Sequence, residues 1–193
     1  MKIISVATEK SVLEASKALL KRKVLMVPTD TVYGFLADAT NKRAVERVLQ
    51  IKGRREGKPL PIFVKDIVMA KTLAEVSPLQ EKYMRKVWPG KVTLVLKSRG
   101  VLQKETGTAE RIGLRIPKHV FLQKILRKVA RPLTGTSANL TGKPSFLKGK
   151  KLIAQFKNRK YKPDMVFDAG ELSYSRPSKV IDITGANPKI LRK

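Results

Sequence analysis

The chain has 193 residues, of which 42% are hydrophobic and 30% are charged; this balance supports one sizeable core and excludes an intrinsically disordered chain. It contains no cysteine, which excludes disulfide bonds, thiolate catalysis and cysteine-based zinc sites. Forty-two lysines and arginines against 15 acidic residues give a net charge of +27, which favours a polyanionic partner such as RNA. A source organism with lysine-rich proteins would explain the same excess.

We expect no signal peptide, membrane span or linker from the pattern of this sequence. No apolar run approaches the roughly 18 residues that a membrane span needs, and the first residues lack the apolar segment of a signal peptide. We therefore expect a cytoplasmic protein that does not enter a membrane. No repeat, low-complexity tract or linker divides the sequence, so we expect a single domain over residues 1–193.

The first half of the chain alternates short apolar runs with helical patterns, which is typical of an α/β domain. A helix is predicted to begin at Ser11, with Glu14 three residues later completing a capping box. Further along, the patterns predict a buried strand at 24–27, a helix over 41–51, a strand at 61–64 and a helical stretch at 67–73.

The second half opens on a strong helix start, because Ser77 can serve as the N-cap, Pro78 as the first helical residue and Gln80 as its capping-box partner. The sequence Trp88-Pro89-Gly90 should end that helix. Since strands follow both helices and other strands, we expect a twisted, mixed but mainly parallel open sheet flanked by helices. The remaining predictions are strands at 92–96, 112–116, 133–136, 165–168 and 180–183, and a helix over 119–129.

Several common kinds of active site do not fit this sequence. His119 is the sole histidine, and at a predicted helix start a solvated or capping role suits it better than catalysis. A P-loop and a dinucleotide-binding fingerprint are both missing. Phosphate groups would therefore have to be bound by side-chain cations and by hydroxyl or amide groups.

Two polar segments in the first half could bind a ligand. Residues 28–34 place hydroxyls, a carboxylate and Tyr33 directly after a buried strand, where open α/β sheets usually bind ligands. Residues 52–60 are predicted to form a cationic loop with two glycines and four cations within seven positions, a composition suited to a triphosphate; the cations are Lys52, Arg54, Arg55 and Lys58. A local turn explains the first segment equally well, and a solvated basic loop explains the second.

Two further segments lie in the second half. Arg115 alternates with apolar residues on a predicted strand, where a cation is costly unless it meets an anion. Residues 133–145 lead from a short strand into small donors and acceptors that suit phosphate and ribose, including Ser137, Asn139 and Ser145. An exposed edge-strand arginine and a loop rich in side-chain turns are the alternatives.

Taken together and in this order, the four segments resemble the YrdC-type threonylcarbamoyl-AMP synthase family. The shared patterns are PT(D/E)TVYG, K-x-R followed by K-P-L, G-(L/I)-R-x-P, T-S-A-N, and a C-terminal P-S before V-(I/V)-D-(I/L)-T; they span residues 28–184. The resemblance implies an α/β fold with a large basic cavity. It also implies an enzyme that makes threonylcarbamoyl-AMP and pyrophosphate from ATP, L-threonine and bicarbonate, for the threonylcarbamoyladenosine modification of tRNA.

The resemblance assigns roles to individual residues by their motif positions. It implies that Thr31, Arg115 and Ser178 bind L-threonine and that Lys52 and Arg54 are the catalytic cations. No protein metal ligand is implied; Mg²⁺ should accompany ATP and be held by phosphate and water. The implied nucleotide-binding residues are Arg54, Lys58, Ser137, Asn139, Ser145 and Arg192.

The sequence departs from the family pattern in two places. Lys179 follows Pro177-Ser178 where family members usually have threonine, and the chain ends at Lys193, where longer members continue into a second domain. Downstream proteins that transfer the threonylcarbamoyl group are expected partners, and tRNA or double-stranded RNA is a further one.

Two other functions remain open. One is a double-stranded RNA or tRNA-binding module without catalysis. The other is a carbamoyl-adenylate enzyme of the hydrogenase-maturation type, which uses carbamoyl phosphate. Domains of that second type normally sit in longer chains with zinc-type cysteines. Threonine-dependent turnover of ATP would separate the synthase from both alternatives.

Overall fold

The computed structural model describes residues 1–6, 8–54, 59–108, 110–145, 147 and 149–193. Six α-helices cover Glu9–Leu20 (α1), Lys42–Lys52 (α2), Ile67–Leu73 (α3), Pro78–Val87 (α4), Val120–Val129 (α5) and Gly149–Phe156 (α6) in this part of the chain, and a 3-10 helix covers Lys104–Thr106. Its strands are Lys2–Ser5 (β1), Leu25–Val27 (β2), Gly34–Leu36 (β3), Ile62–Phe63 (β4), Ala74–Glu75 (β5), Val92–Ser98 (β6), Arg111–Arg115 (β7), Leu133–Thr134 (β8), Thr136–Ser137 (β9), Met165–Asp168 (β10), Lys179–Asp182 (β11) and Lys189–Arg192 (β12).

The strands form two mixed sheets flanked by helices, which confirms the predicted mixed α/β fold. One sheet has the order β1-β10-β2-β3-β9, and the other has the order β12-β11-β6-β7-β4-β8, with β5 added beside β6. Parallel pairing does not dominate, however, because six of the ten strand pairs between described residues are antiparallel. Strands that follow each other without an α-helix between them, such as β2 and β3 or β6 and β7, produce some of these antiparallel pairs.

The local helix predictions succeed where the capping residues are unambiguous. Ser77 and Gln80 form the predicted capping box of α4, and that helix ends before Trp88 as expected. The predicted start of α1 at Ser11 is wrong, because Thr8 is the N-cap and its hydroxyl accepts from the Ser11 amide. The hydroxyl of Ser11 donates instead to the carbonyl of Thr8, within the first turn.

The predicted strand at 133–136 divides into β8 and β9, which belong to different sheets. Gly135 lies between them, and its amide donates to the carbonyl of Pro61 at 2.7 Å. A Cβ atom at this position would lie 2.8 Å from the ring of Phe63, so only glycine lets the chain pass this closely. This crossing joins the two sheets beside the cavity described below.

The apolar faces of the helices cover the sheets and build the core. Helix α5 buries Leu122, Ile125 and Leu126 at helical spacing and packs with α1 against the first sheet. Helices α3 and α4 cover the second sheet in the same way. No helix in the described part of the chain is long and apolar enough to span a membrane.

Candidate active site

A cavity of about 670 Å³ lies where strands of the two sheets meet. The first sheet contributes Gly34, Thr136 and Ser137, and the second contributes residues of β4, β6, β7, β11 and β12. Four arginines from three segments line it: Arg54, Arg111 and Arg115 of β7, and Arg192.

The turn that follows β2 supplies two buried hydroxyls to the cavity wall. The hydroxyls of Thr29 and Thr31 lie 3.1 Å apart, and Thr29 also accepts from the Thr31 amide. Thr29 donates to the carbonyl of Val32 at 2.6 Å, which closes the turn. Local hydrogen bonds therefore hold Thr31 in place, so the turn interpretation and a binding role are compatible for the same residues.

Arg115 is buried and already has an anionic partner within the protein. Its guanidinium donates to Asp30 Oδ1 at 2.6 Å and, through Nε, to the carbonyl of Gly90 at 2.9 Å. The side chains of Arg115 and Asp30 are only 4% and 6% exposed. Burial lowers the pKa of Arg115, and the Asp30 carboxylate opposes that shift. These bonds use two of the five N–H donors of a guanidinium, so others remain for a ligand.

Arg111 lines the same cavity, although the sequence analysis did not single it out. It lies on β7 four residues before Arg115, and alternation along a strand brings both side chains to one face with Gly113 between them. Its guanidinium donates to Asp182 Oδ2 at 3.0 Å, and 57% of its side chain is exposed. The alternation of arginine and glycine in this strand was the sequence feature that could have identified it.

Ser178 and Arg192 meet at another part of the cavity wall. The guanidinium of Arg192 donates to the carbonyl of Ser178 at 3.0 and 2.7 Å and to its hydroxyl at 3.1 Å. The Ser178 hydroxyl also lies 3.1 Å from that of Thr93. A residue expected on the threonine side thus contacts a residue expected on the nucleotide side.

Lys52, which was expected beside the phosphates, is not among the residues that line the cavity. It is 4% exposed, and its Nζ donates to the carbonyls of Ser137 and Asn139 at 2.6 and 3.0 Å, with Asn139 Oδ1 at 3.4 Å. Burial, and to a lesser extent the charge of Arg54, lower the pKa of Lys52 to about 8. The ammonium group of Lys52 therefore fixes the backbone of residues 137–139 through these hydrogen bonds.

The remaining predicted nucleotide residues fall into three groups. Arg54, Ser137 and Ser145 line the cavity, and Arg54 is half-buried there. Asn139 is absent from the lining, because its side chain accepts from the Ser137 hydroxyl at 2.5 Å and donates to the Lys143 carbonyl at 2.5 Å. Lys58 lies outside the described residues.

Tyr33 also lines the cavity, and its hydrogen bonds indicate a structural role. Its hydroxyl donates towards Asp168 Oδ1 and the carbonyl of Gly170, at 2.9 and 2.8 Å, and accepts from the Ala169 amide. Burial raises the pKa of Tyr33 well above its usual range. The phenol stays protonated at neutral pH, so it ties the turn to the end of β10.

His119 lies outside the cavity and caps a helix, as predicted. Its Nδ1 accepts from the amide of Leu122 at 3.4 Å at the start of α5, which requires an unprotonated Nδ1. Burial lowers the pKa of His119, which favours that neutral form. Among the described residues, no group of three or more histidine or acidic side chains is placed to hold a metal ion.

Comparison with known proteins assigns the chain to a family. The family model described as "Telomere recombination", which is that of Sua5, YciO and YrdC proteins, matches residues 17–193. The chain belongs to this family. The chain is 35% identical over 172 residues to the threonylcarbamoyl-AMP synthase of Pyrococcus abyssi. This match covers 88% of this Sua5/YciO/YrdC chain and 50% of the Pyrococcus protein.

The chain is also similar to relatives from a bacterium and a second archaeon. The threonylcarbamoyl-AMP synthase of Bacillus subtilis is 31% identical over 93% of the chain and 52% of its own length. A relative from Methanocaldococcus jannaschii is 37% identical over 90% of the chain and 81% of its own length. The chain thus spans about half the length of the Pyrococcus and Bacillus relatives and most of the Methanocaldococcus one.

Solved structures of the family superpose closely on this chain. The crystal structure of P. abyssi Sua5 complexed with L-threonine matches with a TM-score of 0.90 at 31% identity, covering 100% of this chain and 57% of that one. The structure of Escherichia coli YciO matches with a TM-score of 0.85 at 22% identity, which supports the fold alone.

Proposed function

We propose that this protein is an L-threonylcarbamoyladenylate synthase, which makes threonylcarbamoyl-AMP and pyrophosphate from ATP, L-threonine and bicarbonate or CO2. One observation carries the proposal: predicted site residues from distant parts of the chain line one cavity. Its volume of about 670 Å³ lies within the range of small-molecule sites. The residues shared by the motif prediction and the cavity wall are Thr31, Arg54, Arg115, Ser137, Ser145, Ser178 and Arg192.

The threonine carboxylate would bind at Arg115. Asp30 and Gly90 hold the guanidinium in one orientation, so a carboxylate can meet its remaining donors without reorganisation. The hydroxyls of Thr31 and Ser178 lie in the same wall and can accept from the ammonium group or donate to the substrate oxygens. The amine of threonine would then point into the cavity.

The triphosphate would bind on the side of Arg54 and Arg192. The hydroxyl of Ser145 offers a further donor there, whereas the Ser137 hydroxyl donates to Asn139 and can only accept. Lys52 fixes the 137–139 segment that carries Ser137. Burial lowers the pKa of Arg54 and of Arg192, but a guanidinium remains charged at neutral pH. We expect Mg²⁺ to arrive with ATP and to be held by phosphate oxygens and water.

The reaction requires no protein nucleophile. The amine of threonine attacks the carbon of bicarbonate or CO2, forming a C–N bond and a carbamate, with water released when bicarbonate is used. A carbamate oxygen then attacks the α-phosphorus of ATP, and the bond to the bridging oxygen breaks to release pyrophosphate. Such chemistry depends on positioning and on neutralising phosphate charge. A cavity lined with arginines and hydroxyls provides both.

The product would be used to modify tRNA, so we expect downstream proteins that transfer the threonylcarbamoyl group, and a cytoplasmic location. One experiment tests the synthase and separates it from the two other candidate functions. The purified protein is incubated with ATP, Mg²⁺, bicarbonate and labelled threonine, and the adenylate is sought by mass spectrometry. We expect threonine-dependent threonylcarbamoyl-AMP and pyrophosphate. Turnover with carbamoyl phosphate in place of threonine and bicarbonate, or no turnover at all, would contradict the proposal.

A further inference from the structure

Four neighbouring strands of the second sheet place Thr93 between two arginines of the cavity. In the order β12-β11-β6-β7, Arg192 pairs with Val180, and Val180 pairs in turn with Thr93. The antiparallel register of β6 and β7, continued by one position, sets Thr93 beside Arg115. Thr93 is 4% exposed and lines the cavity. Neither the motif prediction nor the proposed function assigns this residue a role.

The two arginines at the ends of this row have different expected ligands. Under the proposed function, Arg115 binds the threonine carboxylate and Arg192 binds the triphosphate. Burial lowers the pKa of Arg115, and the charge of Arg192 lowers it further, so the two guanidinium groups are close enough to interact. Thr93 therefore lies in the cavity wall at the place where threonine and ATP have to meet.

The hydroxyl of Thr93 forms a buried pair with that of Ser178, the residue directly before β11. The two oxygens lie 3.1 Å apart, and the guanidinium of Arg192 donates to the Ser178 hydroxyl, also at 3.1 Å. The pair has two O–H groups, and the bond between the two oxygens uses one of them. One O–H group of the pair therefore remains available to a ligand in the cavity.

Packing fixes the direction of the Thr93 hydroxyl. Threonine is branched at Cβ, so its χ1 angle is restricted. A Cβ atom at Gly113 would lie 3.4 Å from Thr93 Cγ2, which means that the methyl group packs against this glycine on β7. With the methyl group held there, the hydroxyl of Thr93 stays directed at Ser178. The serine side chain has no such methyl group, so its direction depends on its hydrogen-bond partners.

We infer that Thr93 is a positioning residue for the threonine substrate: it donates to the Ser178 hydroxyl and so turns the Ser178 proton towards the ligand. An oxygen that accepts from both Thr93 and Arg192 is itself a stronger donor, because hydrogen bonds in such a chain polarise one another. The free proton then meets a carboxylate or carbamate oxygen of threonine beside Arg115. This inference deepens the proposed function and rests on it.

The test measures binding of L-threonine, and separately of a non-hydrolysable ATP analogue with Mg²⁺, by isothermal titration calorimetry. Thr93→Val removes the hydroxyl and keeps the branched shape, whereas Thr93→Ser keeps the hydroxyl without the methyl group. Ser178→Ala and the double variant Thr93→Val/Ser178→Ala complete a cycle that separates a direct contact from one made through Ser178. The control, Ser16→Ala, removes another buried hydroxyl, which donates to the Val12 carbonyl in α1 and lies outside the cavity lining. Urea denaturation shows whether each variant is folded.

We expect Thr93→Val to bind L-threonine about 5–10-fold more weakly, the effect of one lost hydrogen bond. Its binding of the ATP analogue should stay close to that of the unmodified protein, because Arg192 keeps both bonds to the Ser178 carbonyl. Thr93→Ser should recover most of the threonine affinity. The double variant should bind threonine no more weakly than Ser178→Ala, and Ser16→Ala should bind both ligands as the unmodified protein does.

Three results would each overturn the inference while the proposed function stands. They are unchanged threonine binding in Thr93→Val, losses that add in the double variant, and a loss of affinity for the ATP analogue as large as that for threonine. Additive losses would mean that Thr93 contacts the ligand itself. If the unmodified protein bound no threonine, the proposed function would be overturned together with the inference.

Discussion

The cations in the cavity and directly next to it fall into two groups with different partners. On β7, Arg115 pairs with Asp30 and Arg111 pairs with Asp182, so each arginine has a carboxylate supplied by the protein. Away from β7, Lys52 and Arg192 donate to carbonyl, amide or hydroxyl oxygens, which are neutral. The β7 side thus has little net charge to offer, while the other side keeps its positive charge. This difference suits a zwitterionic amino acid on the first side and a polyphosphate on the second.

The largest expected effect concerns the Arg115–Asp30 pair. Asp30→Asn leaves a buried guanidinium without its anion, which should lower the free energy of unfolding by about 3–5 kcal/mol. Urea denaturation measures the change. Arg111→Met, which removes a largely exposed partner, should cost within about 1 kcal/mol. Similar losses in the two variants would show that burial does not distinguish these pairs.

A second prediction concerns the side with net positive charge. Arg54→Ala should reduce pyrophosphate release that depends on threonine and bicarbonate by about 10²–10³-fold, the range found when one donor to transition-state charge is removed. Arg159→Ala, which removes an exposed arginine outside the cavity, serves as the control and should retain full activity. Unchanged turnover in Arg54→Ala would remove that residue from the site.

A third prediction tests Lys52 as a support of the 137–139 segment. Lys52→Met removes charged donors from buried carbonyls and should lower the free energy of unfolding by about 1.5–3 kcal/mol. Lys42→Met, on the exposed face of the same helix, should change stability by less than about 0.5 kcal/mol. A stable Lys52→Met protein with lost activity would instead favour a direct role in catalysis.

The smallest predicted effect is a pH dependence of stability. The pKa of Lys52 is about 8 in the folded protein, whereas an unfolded lysine titrates near 10.4. Between these values the unfolded chain binds more protons, so the contribution of Lys52 to stability should increase with pH through that window. Comparing urea denaturation of the unmodified protein and Lys52→Met, at about pH 7 and about pH 9.5, isolates this contribution. If the free energy of unfolding changed equally with pH in the unmodified protein and in Lys52→Met, the lowered pKa of Lys52 would be contradicted.

Local chemistry explains which parts of the fold were predictable. The Ser77-Pro78-x-Gln80 sequence contains every group that starts α4, so the prediction needed no distant contact. The strand Lys189–Arg192 was missed because its residues are exposed, which leaves no pattern of alternating burial. The dominance of antiparallel pairs was missed because pairing partners come from distant parts of the chain.

The sequence motifs predicted which residues belong to the candidate site, but they did not predict the contacts between those residues. Thr31, Arg115 and Ser178 were assigned by resemblance, and they share a cavity. Asp30 lies 85 residues from Arg115 in sequence, so no local pattern indicates that they pair. The burial of the Lys52 side chain likewise depends on how the end of α2 packs against the 137–139 segment, which no local pattern indicates.

The central claim is that one cavity binds threonine and ATP side by side. Its most direct test is a crystal structure of this protein with L-threonine and a non-hydrolysable ATP analogue with Mg²⁺. The account predicts the threonine carboxylate on Arg115 and the triphosphate against Arg54 and Arg192. Electron density for either ligand outside this cavity would contradict it.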